Sequence, residues 1–308
     1  MGDLAKGSPQ TKSDMPESAP RDLTDNVERA VAFMIAAAMV LPLINACAKY
    51  LGGYSVIQVS WARYAGHFAF MLIMFAPRNG VAMLRSSRPG MQLTRSLLHC
   101  LSALMTFYAV RFVPLPTVTA INFSAPLMVT ALSPMVLGEK VGPARALAVA
   151  VGFLGALVIV RPGSGSYGWP VLILLASAAA SALIQLLSRK LARHDPALTS
   201  NTYMVLVGFV LLSLPLPAVW IWPNNTLDIA VFLAIGIVGG LGHYLLVRAF
   251  ELAPAAFVSP FNYAQILGAT LLGYLIFGQL PDMWTWVGAA IIAASGIFIL
   301  LRERRARR

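Results

Sequence analysis

The residues best suited to bind a charged ligand are four bases that fall inside long apolar segments. Arg63 lies deep within one such segment, and His67 follows one helical turn later on the same face. His99 and His243 lie in two further apolar segments. A guanidinium in an apolar environment requires water, carbonyl oxygens or an anionic ligand, so we predict that Arg63 binds an anionic group of a substrate. The three histidines are the candidate proton-linked residues, because imidazole titrates near neutral pH. The alternatives are a structural bond from Arg63 to backbone carbonyls and a packing role for each histidine.

A second group of polar residues is repeated at a constant spacing of 140 residues. Asn122 and Asn262 coincide at this spacing, and a proline lies near each of them, at Pro126 and Pro260. Proline removes a backbone hydrogen bond, and interrupted helices at matching positions are typical of transporter binding sites. Alternatively, the amides only bind neighbouring helices. The complete set of predicted substrate-binding residues is Arg63, Asn45, Tyr108, Asn122, Gln185, Tyr244, Asn262, Tyr263 and Gln265.

Ten apolar segments of bilayer-spanning length contain these residues. The chain is 58% hydrophobic and 11% charged, whereas a soluble domain carries roughly 25% charged residues. A helix of about 20 apolar residues spans the hydrocarbon core of a bilayer. We therefore predict an all-α integral membrane protein with ten transmembrane helices. The ten segments are 30–50, 54–76, 95–113, 117–138, 143–161, 169–189, 199–220, 228–249, 255–277 and 284–301.

The spacing of 140 residues predicts two inverted five-helix repeats around a central cavity. The first repeat comprises residues 29–162 and the second residues 163–302. An odd number of spans turns the second half upside down relative to the first, as in many secondary transporters. Residues 1–28 are polar, so we predict that they form a disordered cytoplasmic tail. We predict that residues 303–308 form a basic cytoplasmic tail.

The charged residues predict the orientation and the type of transport. The chain has 23 Lys and Arg residues, 12 Asp and Glu residues and a net charge of +11. With the N-terminus inside, 19 of those 23 basic residues fall in cytoplasmic segments, which fits the positive-inside rule. We predict a multi-pass inner-membrane protein, monomeric or weakly dimeric, with both termini in the cytoplasm. No carboxylate lies in the middle of a segment, so we expect facilitative transport rather than proton coupling through carboxylates.

Other classes of function lack the residues that they require. The sequence has no Gly-x-Ser-x-Gly, no His-Glu-x-x-His and no aspartate in the middle of a span, so we do not expect an enzyme. Cys47 and Cys100 lie within apolar segments and form neither a disulfide framework nor a zinc motif. We expect no metal, no cofactor and no nucleic-acid partner. A non-transporting structural membrane protein is the remaining alternative, and it leaves the matching helix interruptions unexplained.

The sequence resembles the drug/metabolite transporter superfamily, and within it the ten-span EamA type, over residues 30–302. In this type a Gly-Glu pair commonly closes the fourth span and often the ninth, whereas here the ninth ends at Gly278-Gln279. The segments that carry the resemblance are Lys49-Tyr-Leu-Gly followed by Arg63, Tyr108-Ala-Val-Arg-Phe-Val-Pro-Leu, Leu137-Gly-Glu-Lys-Val, Gly152-Phe-Leu-Gly and Ala249-Phe-Glu-Leu-Ala-Pro.

This resemblance implies a transporter of small metabolites that works by alternating access. Amino-acid efflux or exchange is the leading expectation. The alternative is uptake of S-adenosylmethionine or riboflavin, because the segments at Lys49 and Ala249 are similar to permeases for these compounds. The expected partners are a small-molecule substrate and the lipid bilayer.

Overall fold

The protein is a bundle of helices. The computed structural model describes residues 21–138, 141–161, 168–253 and 255–306, and every regular element in these ranges is a helix. Within the two predicted tails, residues 1–20 and 307–308 lie outside the described residues. The α-helices are α1 (Arg21–Tyr50), α2 (Val56–Asn79), α3 (Pro89–Ala109), α4 (Leu115–Asn122), α5 (Ala125–Leu137), α6 (Pro143–Val160), α7 (Pro170–Leu191), α8 (Ala197–Ser213), α9 (Leu216–Val219), α10 (Thr226–Leu252), α11 (Ala255–Val258), α12 (Gln265–Phe277) and α13 (Met283–Ala306). Short 3-10 helices lie at Leu51–Gly53, Gly80–Leu84 and Ser259–Ala264.

Among the described residues, seven helical segments are long and apolar enough to cross a membrane. They contain α1, α2, α4 with α5, α6, α7, α10 and α13, and the shorter α8 is also apolar. Polar residues such as Arg95 lower the hydropathy of α3, and α12 is short because an interruption precedes it. The arrangement of ten membrane-spanning helices in inverted repeats therefore stays a prediction.

Helices α5 and α12 match closely at the spacing of 140 residues. Both contain 13 residues, and each ends at a glycine with a left-handed backbone, Gly138 at φ 71° and Gly278 at φ 64°. Glycine adopts this conformation without a steric penalty, so it ends a helix readily. An interruption precedes each of these helices, between Asn122 and Ala125 in one case and at Ser259–Ala264 in the other.

Close contacts between glycines bring several helices together. A Cβ atom added to Gly66 of α2 would lie only 2.7 Å from the Cα atom of Gly236 in α10. Similarly, a Cβ atom on Gly155 of α6 would lie 2.9 Å from the carbonyl oxygen of Gly288 in α13. Small residues allow such approach where lipid supplies no hydrophobic drive for helix association. As a result α2, which carries Arg63, packs directly against α10.

At one end of the bundle, Asp195 joins the α7–α8 loop to the start of α3. Its carboxylate accepts hydrogen bonds from the Ser86 hydroxyl at 2.5 Å, from the Ser87 amide and hydroxyl at 2.9 Å each, and from the Gln92 side chain at 2.8 Å. Burial raises the pKa of Asp195, but these hydrogen bonds outweigh burial and hold the pKa well below its ordinary value. The carboxylate is therefore charged at neutral pH, and its hydrogen bonds connect the two loops.

At the other end of the bundle, Tyr54 and Gln58 join the α1–α2 connection to the residues before α10. The Tyr54 hydroxyl donates to Asp228 at 2.5 Å and accepts from the backbone N–H of Asn224 at 3.3 Å. Gln58 exchanges two hydrogen bonds with the backbone of Ile221, at 2.7 and 3.0 Å. Polar loop contacts thus connect the two halves of the chain at both ends of the bundle.

The described helices extend into both predicted tails. Helix α1 begins at Arg21, within residues 1–28 for which the sequence predicts disorder, and the extent of that tail stays a prediction. At the other terminus α13 continues to Ala306 instead of ending before the basic tail.

Candidate functional site

The guanidinium of Arg63 is buried between aromatic rings of α2 and α3. The residue is only 6% exposed, and its guanidinium carbon lies 5.2 Å from the ring centre of Tyr64 and 5.7 Å from that of Phe107. Contact with aromatic faces stabilises a cation. However, among the described residues Nε has no hydrogen-bond partner and Arg63 forms no ion pair. This group therefore retains the capacity to bind a ligand.

The three predicted histidines lie close to Arg63. The rings of His67 and His243 are 5.3 Å apart, and Nδ1 of His67 is buried without a hydrogen-bond partner among the described residues. Nδ1 of His243 lies 2.8 Å from the carbonyl oxygen of Gly239, a distance at which it donates to that oxygen. His99 shares a hydrogen bond of 2.8 Å with the hydroxyl of Tyr64. The fold thus gathers bases from α2, α3 and α10 into one cluster.

A cavity with a volume of about 390 Å³ near the Asp195 end of the bundle reaches His67 and His243 of this cluster, whereas Arg63 and His99 are not among its lining residues. This volume lies within the range of about 300–1,000 Å³ that is common for small-molecule sites. His67, His243 and Tyr244 line its inner part, and Arg78 and Asn201 line its outer part. The remaining polar lining comes from Asn79 and from Arg248 and Glu251, which form an ion pair of 2.8 Å.

The two helix interruptions form a second polar region. Asn122 is half-buried at the end of α4, and Asn262 accepts a hydrogen bond from the side chain of Gln265. The rings of Phe123 and Tyr263, which coincide at the spacing of 140 residues, lie 4.7 Å apart. Residues of matching position in the two halves are therefore in direct contact.

Three predicted residues share no hydrogen bond or ring contact with either group in the described part of the chain. The ring of Tyr108 lies 5.5 Å from the rings of Phe112 and Trp169, which are themselves exposed on the surface of the bundle. Asn45 is half-buried on α1, and Gln185 is exposed on α7. Neither of these side chains shares a hydrogen bond with the bases in the described part of the chain. A substrate role for these three residues rests on the sequence prediction alone.

The sequence prediction missed two aromatic residues that contact Arg63. Phe107 rather than Tyr108 faces the guanidinium, and Tyr64 links Arg63 to His99. A signal for Phe107 was present, because the buried positions Ser96, Ala103 and Phe107 of α3 follow helical spacing. By contrast, the residues at the outer part of the cavity come from α2, α8 and α10, whose proximity is not visible in the sequence.

Comparisons with known proteins agree on one family. The EamA-like transporter family matches the chain twice, over residues 28–161 and 168–301. A riboflavin transporter of Rhizobium johnstonii is 30% identical to this chain, over 90% of this chain and 92% of its own length. An S-adenosylmethionine uptake transporter of Rickettsia felis is 27% identical over 84% of this chain and 87% of its own.

Two further comparisons extend this result. A pseudopaline exporter of Pseudomonas aeruginosa is 29% identical over 89% of this chain and 96% of its own length. A solved crystal structure aligns with a TM-score of 0.63 at 18% identity, covering 89% of this chain and 99% of that chain, which shows a shared fold. All of the named relatives are transporters.

Proposed function

Because the chain belongs to the EamA-like transporter family, we propose that it is a bacterial inner-membrane transporter for a small metabolite with an anionic or hydrogen-bond-accepting group. The family assignment makes the chain a multi-pass membrane transporter and not an enzyme. The observation that carries the substrate proposal is the buried guanidinium of Arg63, whose Nε has no acceptor among the described residues. A substrate that supplies this acceptor satisfies a group that is costly to bury without a partner.

The charges around Arg63 disfavour a cationic substrate. Arg63 carries a permanent positive charge and forms no ion pair with a described carboxylate, and Asp195 and Asp228 lie at helix ends. S-adenosylmethionine has an α-carboxylate that Arg63 can bind, but its sulfonium and ammonium groups give it a net positive charge, and no described carboxylate pairs with Arg63 to balance that charge. We therefore place S-adenosylmethionine behind the other candidates.

Riboflavin is our first candidate substrate. Its ring system carries carbonyl oxygens that accept hydrogen bonds from a guanidinium, and its flat apolar body suits a cavity lined by Phe70, Phe75 and Tyr244. Two of the similar proteins, from Rhizobium johnstonii and Vibrio cholerae, are named riboflavin transporters and are each 30% identical to this chain.

An amino acid is the second candidate. Its carboxylate would bind Arg63, while its ammonium group would be accepted by polar groups at the helix interruptions near Asn122 and Asn262. Interrupted helices supply backbone carbonyls for such contacts. Efflux or exchange of amino acids thus remains a prediction of the sequence, and it requires the substrate to bridge the two polar regions.

We propose that transport occurs by alternating access between two inverted five-helix repeats. Three observations support this: α5 and α12 have matching bounds, both end at left-handed glycines, and Phe123 contacts its counterpart Tyr263. With the N-terminus inside, as the basic residues predict, the cavity beside His243 opens to the cytoplasm. Transport would be facilitative, because no described carboxylate lies in the middle of a helix that could cross the membrane.

The proposal can be tested by counterflow in proteoliposomes. Vesicles are loaded with unlabelled compound and receive labelled riboflavin, amino acids or S-adenosylmethionine outside, with and without a pH gradient. We expect riboflavin to accumulate without a gradient. Loss of a charge-assisted hydrogen bond costs about 1.5–3 kcal/mol, so Arg63→Ala should weaken apparent substrate affinity by at least about tenfold.

Matched variants separate the role of Arg63 from loss of positive charge. Arg193→Ala removes an exposed arginine between α7 and α8 and should transport as the parent does. Arg63→Lys keeps the charge but loses the planar donors, so we expect partial activity. Equal transport by the parent and by Arg63→Ala would refute the site, and accumulation of S-adenosylmethionine alone would refute the charge argument.

A further inference from the structure

An apolar groove lies on the outside of the bundle between α2 and α10. Its volume is about 780 Å³, and Trp220 and Trp222 line one end of it. The walls consist of apolar side chains, several of which are largely exposed, including Ile73 at 74% and Leu233 at 65%. Because α2 and α10 are both apolar enough to cross a membrane, this groove faces the lipid.

The groove is deep because its floor is built from small residues. Ala65, Gly66 and Ala69 line it on α2, where Gly66 approaches the backbone of Gly236 on α10. Side chains larger than alanine at these positions would fill the space. The close crossing of the two helices therefore leaves an open channel beside the contact, with larger apolar residues on both sides.

The length and chemistry of the groove match one phospholipid chain. The lining residues Trp61 and Met74 are 13 residues apart on α2, which corresponds to about 20 Å along a helix. One leaflet contributes about half of a hydrocarbon core that is about 30 Å thick. At the tryptophan end, the rings of Trp220 and Trp222 lie 5.5 Å apart and line the groove together. Tryptophan is common at the membrane interface, where lipid ester carbonyls lie.

We propose that this groove binds one phospholipid, with an acyl chain along α2 and α10 and the ester region of the lipid beside the indole rings of Trp220 and Trp222. The bound chain would also support the cavity, because Phe70 and Met74 line both the groove and the cavity that leads to His67. Phe70, which separates the groove from the cavity, packs directly on the backbone of Gly240, and Gly240 has no side chain that could restrain the Phe70 ring.

Fluorescence quenching by brominated lipid tests this site. In one variant Trp220 is retained and the other five tryptophans are replaced with phenylalanine. In a reference variant only Trp284, which is exposed on α13, is retained. Both are reconstituted in phosphatidylcholine that contains a small fraction of phosphatidylcholine brominated near the carboxyl ends of its chains. A binding site that competes with bulk lipid should make the quenching of Trp220 at least about twofold stronger than that of Trp284.

Filling the groove provides the decisive comparison. Ala69→Phe in the Trp220 protein should reduce quenching to the level seen for Trp284, whereas Ala146→Phe, at an exposed position of α6, should leave it unchanged. Ala65→Leu serves as a second filling variant if Ala69→Phe does not fold. Equal quenching of Trp220 and Trp284, or quenching that the filling variants leave unchanged, would overturn the proposal. The test needs no transport substrate, so its outcome is independent of the proposed function.

Discussion

Replacing Gly66 with alanine should separate α2 from α10 and destabilise the protein. The added Cβ atom would lie 2.7 Å from the Cα atom of Gly236 and 3.3 Å from its carbonyl carbon. These obstructing atoms belong to the backbone, so a change of side-chain rotamer cannot relieve the overlap. One of the two helices must move instead, and the movement would also displace Arg63 and His67, which lie on the same helix.

Two opposing effects determine the size of this destabilisation. Overpacking a close contact typically costs about 1–3 kcal/mol, whereas alanine gains up to about 1 kcal/mol over glycine in helix propensity. With the full gain in helix propensity, the net effect of Gly66→Ala on the free energy of unfolding should therefore be a loss of about 0–2 kcal/mol. Gly239→Ala on α10 is the matched control, because its Cβ atom would meet its nearest neighbour at an ordinary 3.8 Å.

Unfolding of the purified protein in mixed micelles, followed by circular dichroism, measures both variants. The control should be as stable as the parent or slightly more stable. If Gly66→Ala proves at least as stable as Gly239→Ala, the helices are able to separate at no cost, and the close crossing is not a determinant of stability.

Two further predictions concern the ends of the bundle. Asp195→Asn should lower the free energy of unfolding by about 2–4 kcal/mol, since an amide cannot accept the four hydrogen bonds that the carboxylate accepts. Because the pKa of Asp195 is held below its ordinary value, its contribution is complete above pH of about 4. This contribution is lost as the pH falls towards the pKa of Asp195 in the folded state. In Asp195→Asn, the free energy of unfolding should therefore depend less on pH below pH of about 4 than it does in the parent. Tyr54→Phe removes the hydroxyl that donates to Asp228 at 2.5 Å and should lower the free energy of unfolding by about 1–3 kcal/mol. Tyr274→Phe changes an exposed tyrosine and should have no measurable effect in the same assay.

Local sequence signals located the helix interruptions and the buried bases. Prolines near Asn122 and Asn262 predicted breaks in two helices, and the structure has an interruption at each position. Arg63 and His67 were found because a base in an apolar segment is visible without any knowledge of the fold. The contact between His67 and His243 was not foreseen, because it depends on the packing of α2 against α10.

Polar contacts between loops that are distant in the chain could not be predicted from the sequence. Arg95 lies at the start of a predicted span, yet it is buried and donates to the Ser188 hydroxyl and the Ser200 carbonyl. Asp195 lies between two predicted spans, and its partners lie more than 100 residues earlier in the chain. Neither residue has a local pattern that distinguishes a buried partner from a solvated charge.

The contact between Phe123 and Tyr263 also constrains how the two halves of the gene can diverge. The ring centres of Phe123 and Tyr263 are 4.7 Å apart. A larger side chain at either position therefore leaves less space for the side chain at the other. Substitutions at these two positions should therefore be correlated among related sequences. By contrast, the sequence already differs at another pair of equivalent positions, because Glu139 in the first repeat corresponds to Gln279 in the second.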